Sequence, residues 1–458
     1  MNAKKTSIDM TGGKISVQIF RFALPLMAGN LFQQLYSLTD AAIIGRYIGV
    51  EALGAVSAVS WLIWFLSAVS RDCSNAFSIA ASIRVGQKDS DGFKNVVFHA
   101  IVVGGAIGIV VTVLMLLLQR PMMRMIHIQA HSFGLSFDYL LVSILTLPIG
   151  VVFHQTVALL RAAGDSTTTF LAMTVSTVVN ILLDLLFILV LHWGVLGAAI
   201  ATMIAQGASA AIALYQAGKN SMFKLSRADC RLKPAFLREL FRLWAPLVLN
   251  SLVVTVGGMY VQSGYNIIGT SFTAGSSASN KVFSLFEALV MAIQTGASVF
   301  VGQNLGARQP DRIREGIREI VGMVLLLCAG IICAVWSLDD EIVNLFLSKS
   351  EPEAYEAAHR YGVNFLHFQI TGMVIMAPMY IYRITVQTLG HGNYALLAGV
   401  LQMVMRIATM SLLPQVIGET AYYLPTVLAW AASLPTVYFP YRYHVKKLEA
   451  GMTPRKAA

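Results

Sequence analysis

Two aspartates stand where an apolar sequence makes them costly. Asp40 lies in NLFQQLYSLTDAAIIG, with Tyr36 one helical turn earlier and Gln33 close by. Asp184 lies in VSTVVNILLDLLFILV, with Asn180 four residues before it. Residues four apart share a helix face, so each carboxylate has a neutral oxygen-bearing neighbour. A carboxylate inside a bilayer is costly unless paired, hydrated or protonated, and such residues mark ion and proton pathways. Two acids in one poorly hydrated cavity bind a proton more tightly, because like charges resist joint ionisation. The same oxygens suit a hard cation such as Na+, placed at Asp40, Asn180 and Asp184. Coupling to H+ or Na+ is the reading these residues support. The competing one makes each Asp a structural acceptor that ties helices together.

Other groups belong to the same inventory. The second half of the chain does not repeat the pair: the position matching Asn180 holds Arg406, and its other intramembrane charges are Lys281, Glu287 and Arg383. Glu287, Arg383 and Arg406 are candidates for substrate or gating contacts, with structural pairing of Glu287 to a basic neighbour as the alternative. Pro25 and Pro246 interrupt the first helix of each half, and Pro25, on the helix of Asp40, is a candidate bending point. His154 and His367 read as satisfied hydrogen-bonding residues outside the site. Cys73, Cys230, Cys328 and Cys333 form no Cys-x-x-Cys pair and read as structural thiols. Twenty methionines and 10% aromatic residues offer a soft lining for apolar or cationic ligands.

These residues need a scaffold, and composition names its class. Of 458 residues only 12% are charged and 56% are apolar, against about 25% and about 45–50% in soluble domains. Mean hydropathy is +0.67. An ordinary soluble enzyme is excluded. The net charge of +10 does not indicate nucleic-acid binding, because Lys and Arg punctuate apolar runs instead of gathering on a polar face.

Apolar runs predict twelve membrane segments near 18–47, 53–83, 93–118, 134–160, 168–190, 194–217, 240–268, 276–303, 317–338, 361–389, 394–416 and 420–441. With the N-terminus inside, inner segments hold 24 of the 33 Lys and Arg, including residues at both ends of the chain. Outer loops hold only Arg46, Arg120, Arg124, Lys349 and Arg360. The asymmetry predicts both termini in the cytoplasm. The polar start, MNAKKTSIDMTGGKIS, predicts no removable signal peptide.

The stretch KNSMFKLSRADCRLKPAFLRELFR divides the chain into two halves of six segments. Pro25 and Pro246 are 221 apart, Gly86 and Gly306 220, Gly164 and Gly390 226, and Gly194 and Gly418 224. So regular an offset predicts an internal duplication with both copies in the same orientation. The expected organisation is an N-terminal lobe over 1–217, a cytoplasmic linker over 218–239, and a C-terminal lobe with a short basic tail over 240–458. Gly13-Lys14 is followed by Ile15 and no GxxxxGK[ST] occurs, so an ion gradient or passive equilibration supplies the energy. Neither HExxH nor GxSxG is present, which argues against an enzyme.

The runs LPLMAGNLFQQLYSLTDAAIIGRYIGVEALGAVS, RAAGDSTTT, VNILLD and WGVLGAAIAT, in that order, resemble the multidrug and toxic compound extrusion (MATE) transporters from about Pro25 to Tyr443. The resemblance implies an all-α polytopic membrane protein. Its twelve transmembrane helices would form two six-helix lobes related by a pseudo-twofold axis along the membrane normal. It implies export of organic, often cationic and aromatic, compounds in exchange for H+ or Na+, with a central cleft open alternately to each side. The bacterial cytoplasmic membrane is the expected location. The expected partners are small-molecule drugs and the bilayer, with no cofactor and a monomer as the default. The family's cation site falls on Tyr36, Asp40, Asn180, Asp184 and Thr202, of which Thr202 comes from the resemblance alone. Two departures stand out. Arg71-Asp72 replaces small or neutral residues on the second helix, either neutralising itself or facing the cleft. The C-terminal lobe lacks the acids some branches use and carries Arg383 instead, so no second cation site is expected. The alternative function is a flippase for lipid-linked sugars, kept in view by Lys281, Arg383 and Arg406.

Overall fold

In hydrocarbon, backbone N–H and C=O groups find no water, so a spanning chain must satisfy them within helices or closed barrels. The computed structural model describes residues 7–125, 128, 132–227, 229–345 and 352–452, and these contain no strand. Lys4, Lys5, Lys349, Arg455 and Lys456, which contribute to the charge asymmetry, lie outside the described residues. Twelve long helices follow one another. In the first half these are α1 (Ile15–Ile43), α2 (Val50–Gly86), α3 (Ser90–His99, a π-helical turn Ala100–Gly104, then Gly105–Met125), α4 (Phe133–Ala162), α5 (Thr167–Asp184) and α6 (Gly194–Lys219). The second half holds α7 (Pro234–Ile268), α8 (Thr270–Gly306), α9 (Pro310–Ser337), α10 (Pro352–Thr388), α11 (Gly392–Leu412) and α12 (Pro425–Met452).

Among the described residues ten helices are long and apolar enough to cross a membrane, and α2, bent by 41°, makes eleven. The twelfth, α12, falls short of that hydropathy: its uncharged part, Pro425 to Tyr441, is rich in Pro, Thr and Tyr, and Arg442, Lys446, Lys447 and Glu449 follow. Leu117, Leu326 and Ile267 are 72, 77 and 84% exposed. Apolar side chains so open to solvent are an aggregation liability in water and ordinary in contact with lipid.

Contacts gather the chain into two units. One comprises Arg21–Trp244 and the residues up to Met10; the other comprises Thr11–Phe20 and the chain from Ala245 onward. Each unit has the same internal pairing: α2 on α4, α4 on α6, α5 on α6 and α3 on α4 in the first, and α8 on α10, α10 on α12, α11 on α12 and α9 on α10 in the second. Backbone conformation repeats with it. Positive φ angles recur at Gly49 and Gly269, Lys88 and Arg308, Gly164 and Gly390, and Gly194 and Gly418.

Small residues set the closest approaches, as they must where helix association relies on packing and interhelical hydrogen bonds. The Ser78 hydroxyl of α2 donates to the Ala158 carbonyl of α4 at 3.1 Å. Nearer the other end of α8, Ser279 donates to the Gly362 carbonyl of α10 at 2.6 Å, where the equivalent crossing in the first unit has the Ser136 hydroxyl donating to the Ala55 carbonyl at 2.9 Å. A row of buried alanines along α6, from Ala198 to Ala217, receives α4 and α5.

The polar stretch between the halves is held against α3. Asn95 donates to the carbonyls of Asp229 (3.2 Å) and Arg231 (3.0 Å). The Lys233 N–H donates to His99 Nε2 at 3.1 Å, which leaves Nδ1 as donor to the Asn95 carbonyl at 2.7 Å. The N–H and hydroxyl of Ser226 both donate to Asp229, and these bonds hold its carboxyl below the usual carboxylate range.

Gly164 in RAAGD ends the α4 turn with φ +91° and accepts the Ile8 N–H at 3.0 Å, while Ser7 Oγ donates to Ala163 O. A Cβ there would collide with the Ile8 carbonyl. Gly164→Ala is expected to cost about 1–3 kcal/mol from the strained backbone and the displaced N-terminal segment. The check is a lower Tm of the detergent-solubilised protein together with faster protease cleavage before residue 14; an unchanged Tm and cleavage rate would contradict this account.

Candidate functional site

The first unit brings the sequence-derived candidates together. Asn180 and Asp184 are buried on one face of α5, 1% and 0% exposed. Asp40, near the end of α1, lies close to the Asp184 carboxyl. Tyr36, one turn earlier on α1, shares a hydrogen bond with Thr202 of α6 at 3.1 Å between the hydroxyl oxygens. The Asn180 amide satisfies its neighbours when its NH2 donates to Asp184 Oδ2 (2.8 Å) and its oxygen accepts from the Thr202 backbone N–H (3.2 Å). Five residues on three helices thus form one network. Asp40 Oδ1 and Asp184 Oδ1 are buried and without a hydrogen-bond partner. Buried polar atoms are normally satisfied, so two orphaned carboxylate oxygens fit a site that receives a proton or a cation.

Backbone irregularity sits beside both acids. A π-helical turn, Ile44–Ile48, follows α1 four residues after Asp40, and another, Leu185–Val190, begins immediately after Asp184. Such turns concentrate at functional positions, where they re-aim side chains.

The network opens into a cavity lined by Gln33, Tyr36, His154, Asn180, Thr202 and Gln206, with Ser176, Thr177 and Ser209 adding hydroxyls. About 50 Å³ of it admits the centre of a water molecule, and since one water needs only ~10–15 Å³, a few can be held. His154 therefore belongs to the site, which the sequence reading did not give it. Tyr139 of α4 was missed as well, and stands close enough to interact electrostatically with Tyr36 and both acids. Neither has an ionisable or amide partner at helical spacing, and the packing of α4 aims them inward. His367 is structural as expected: its Nε2 lies 2.7 Å from Asp339 Oδ2 and its ring stacks on Trp336.

Pro25 and Pro246 lie inside α1 and α7, and both helices continue through them. One lost backbone bond leaves the surrounding turns intact, and Pro25 stays a candidate bending point on the helix of Asp40. Arg71 places its guanidinium over the Trp64 ring, 5.9 Å from the centroid.

The second unit holds the remaining candidates. The Tyr380 hydroxyl of α10 donates to Glu287 Oε1 of α8 at 2.9 Å. Arg383 lies over the Tyr380 ring at 4.6 Å. Arg406 of α11 donates from Nη1 to the Val254 carbonyl of α7 at 3.1 Å, while its Nε is buried without a partner. The hydrogen-bond partner of Glu287 is a tyrosine where the sequence suggested a basic residue; Arg383 and Arg406 act on it at longer range.

Comparison with known proteins agrees with this geometry. The family profile of MatE matches residues 25–186 and 246–412, once in each half. The chain is similar to the probable multidrug resistance protein YoeA of Bacillus subtilis (strain 168), 26% identical over 74% of each chain. It is similar to the multidrug export protein MepA of Staphylococcus aureus (strain bovine RF122 / ET3-1), 23% identical over 88% of each chain. A crystal structure of MATE in complex with MaL6 has the same fold, with a TM-score of 0.91 over 98% of this chain and 100% of the other at 19% identity.

Thr202→Val and Tyr36→Phe each remove one partner of the same hydroxyl–hydroxyl bond, while the Thr202 backbone N–H stays with Asn180. Each is expected to cost about 0.5–1.5 kcal/mol, and the double variant less than the sum of the two. Thermal unfolding of both single variants and the double variant checks this. Strict additivity would contradict direct coupling.

Proposed function

Because the chain belongs to the MatE family, we propose that it is a secondary multidrug exporter of the bacterial cytoplasmic membrane, driven by protons entering at Asp40 and Asp184. The family consists of transporters, and the chain is a multi-pass membrane protein. Both termini lie in the cytoplasm in this reading, on the strength of the positive-inside asymmetry. A single chain suffices, since the duplication already provides two six-helix units.

The observation that carries the choice of ion is the contact between the two carboxyls. Two carboxylates cannot hydrogen-bond to one another; one proton between them supplies the missing donor and halves the buried charge. With its NH2 set toward Asp184 and its oxygen toward the Thr202 N–H, Asn180 donates to the acid. Na+ would instead draw on the amide oxygen and on carboxyls spread around an ion with oxygen ligands.

The cycle follows from charge. With the cavity open outward, the pair takes a proton and a bound organic compound leaves. With the cavity open inward, the proton departs and another compound binds. Water in the cavity provides the route between the acids and the aqueous phase.

The test is ethidium efflux from proteoliposomes of the full chain, with a pH gradient or a Na+ gradient imposed separately at zero membrane potential. The pH gradient is expected to drive efflux. Asp40→Asn and Asp184→Asn are each expected to reduce it to the level of protein-free liposomes, at unchanged amounts of reconstituted protein. Efflux driven by Na+ alone would replace H+ as the coupling ion. Export by both variants at the wild-type rate would remove the assigned site.

A further inference from the structure

The second unit carries the opposite polarity at the matching place in the fold. Arg406 stands at the position equivalent to Asn180, on α11 where Asn180 is on α5, and it reaches α7 as its counterpart reaches toward α1. Arg383 lies over the Tyr380 ring, the Tyr380 hydroxyl is bonded to Glu287, and Arg406 is near enough to act electrostatically on Glu287, Tyr380 and Tyr265. Two guanidiniums face a single carboxylate. Among the described residues, neither arginine has a carboxylate within 4 Å. Glu287 takes its hydrogen bond from a neutral tyrosine, and Arg406 Nε has no acceptor. An uncompensated charge in a low-dielectric interior is unfavourable, and a single acid leaves one guanidinium's charge unbalanced.

We infer that Arg383 and Arg406 form a receptor for the acidic group of an aromatic organic acid or zwitterion, in the interior of the second unit. Guanidinium groups match carboxylate and sulfonate geometry with paired donors, and the free Nε of Arg406 is such a donor. Tyr380, beneath Arg383, and Tyr265, packed on Phe272 and Phe365, make the surroundings of the two arginines aromatic, as suits an aromatic acid. Glu287 acts as the resident counter-charge that keeps the empty site tolerable. The cargo would then carry a negative group as well as the positive one expected of an exported drug. That this ligand is cargo rests on the export reading, whereas its binding does not.

Rhodamine 110, with a free carboxylate, and rhodamine 123, its methyl ester, differ at the group in question. Fluorescence anisotropy gives their affinities for the detergent-solubilised full chain. The wild type is expected to prefer the free acid. Arg383→Gln and Arg406→Gln are each expected to lower the acid-to-ester affinity ratio by about tenfold or more, the worth of one charge-assisted hydrogen bond. Arg406 supports the Val254 carbonyl and its variant can fail to fold; Arg383 lies over the Tyr380 ring and donates no hydrogen bond to a carbonyl among the described residues, so Arg383→Gln carries the test alone if needed. A wild type that binds the acid no tighter than the ester overturns the inference, as does a ratio unaltered in Arg383→Gln. Gradient-driven ethidium efflux by the wild type tests export separately. Efflux without a preference for the acid removes this inference only, and a preference without efflux removes the export reading only.

Discussion

The structure depends on one constraint: a charged group inside the bilayer must find its compensation within the protein, because no water is there to supply it. For the backbone, helices solve the problem. For side chains it has to be solved case by case, and Asp40 and Asp184 are solved only partly. Each acid lies in the Tyr36, Asn180 and Thr202 network, yet each keeps one buried oxygen without a partner. Partial satisfaction is a poor way to hold helices together, since well-packed apolar residues of similar size would do so at lower cost. It is a workable way to make a site whose stability depends on an added proton.

The duplicated framework shows what such a site requires of its surroundings. Helix pairing and positive-φ positions recur in both units, down to Lys88 and Arg308 with the same φ of +56°. Chemistry does not recur with them. Packing needs small residues at the crossings, and Ser136 against Ala55 and Ser279 against Gly362 keep equivalent crossings close in both halves. The interior polar positions are free of that demand. One unit has filled them with acids and amide donors, and the other with two arginines, a glutamate and tyrosines. A common scaffold therefore carries an acidic cluster and a basic cluster without change of architecture.

Much of this was legible in the sequence, for definable reasons. Helices and duplication follow from apolar runs and from Gly and Pro at a fixed offset, both local signals. Tyr36 with Asp40 and Asn180 with Asp184 were visible because members of each pair lie on one helix face. Thr202 came only from resemblance, since nothing in GAAIATMIAQ distinguishes its hydroxyl from those of neighbouring segments. His154 and Tyr139 were missed because they reach the cavity from α4, a helix whose inward face is decided by packing. The partner of Glu287 was misjudged for a similar reason. Charge suggested a basic neighbour, whereas the packing of α8 on α10 delivers the Tyr380 hydroxyl. The hydropathy of α12 understated a helix that belongs to the bundle, because its apolar part is built of Pro, Thr and aromatic residues.

Whether the acid pair can drive a transport cycle is a question of magnitude. Inverting a population from 1:99 to 99:1 takes about 5.5 kcal/mol of differential free energy. Two carboxylates at about 4 Å, at an effective dielectric of about 20, repel by about 4 kcal/mol. A single proton removes that repulsion and adds a hydrogen bond between the acids, so the two effects together approach what is required. The helices that feel the change are α1 and α5, which carry Asp40 and Asp184 and end in π-helical turns directly beyond them. A π turn already departs from regular helical hydrogen bonding, so it yields to a shift in carboxylate spacing more readily than an unbroken helix would. In a proton-coupled cycle the mechanical response is therefore expected at Ile44–Ile48 and Leu185–Val190, beside the acids.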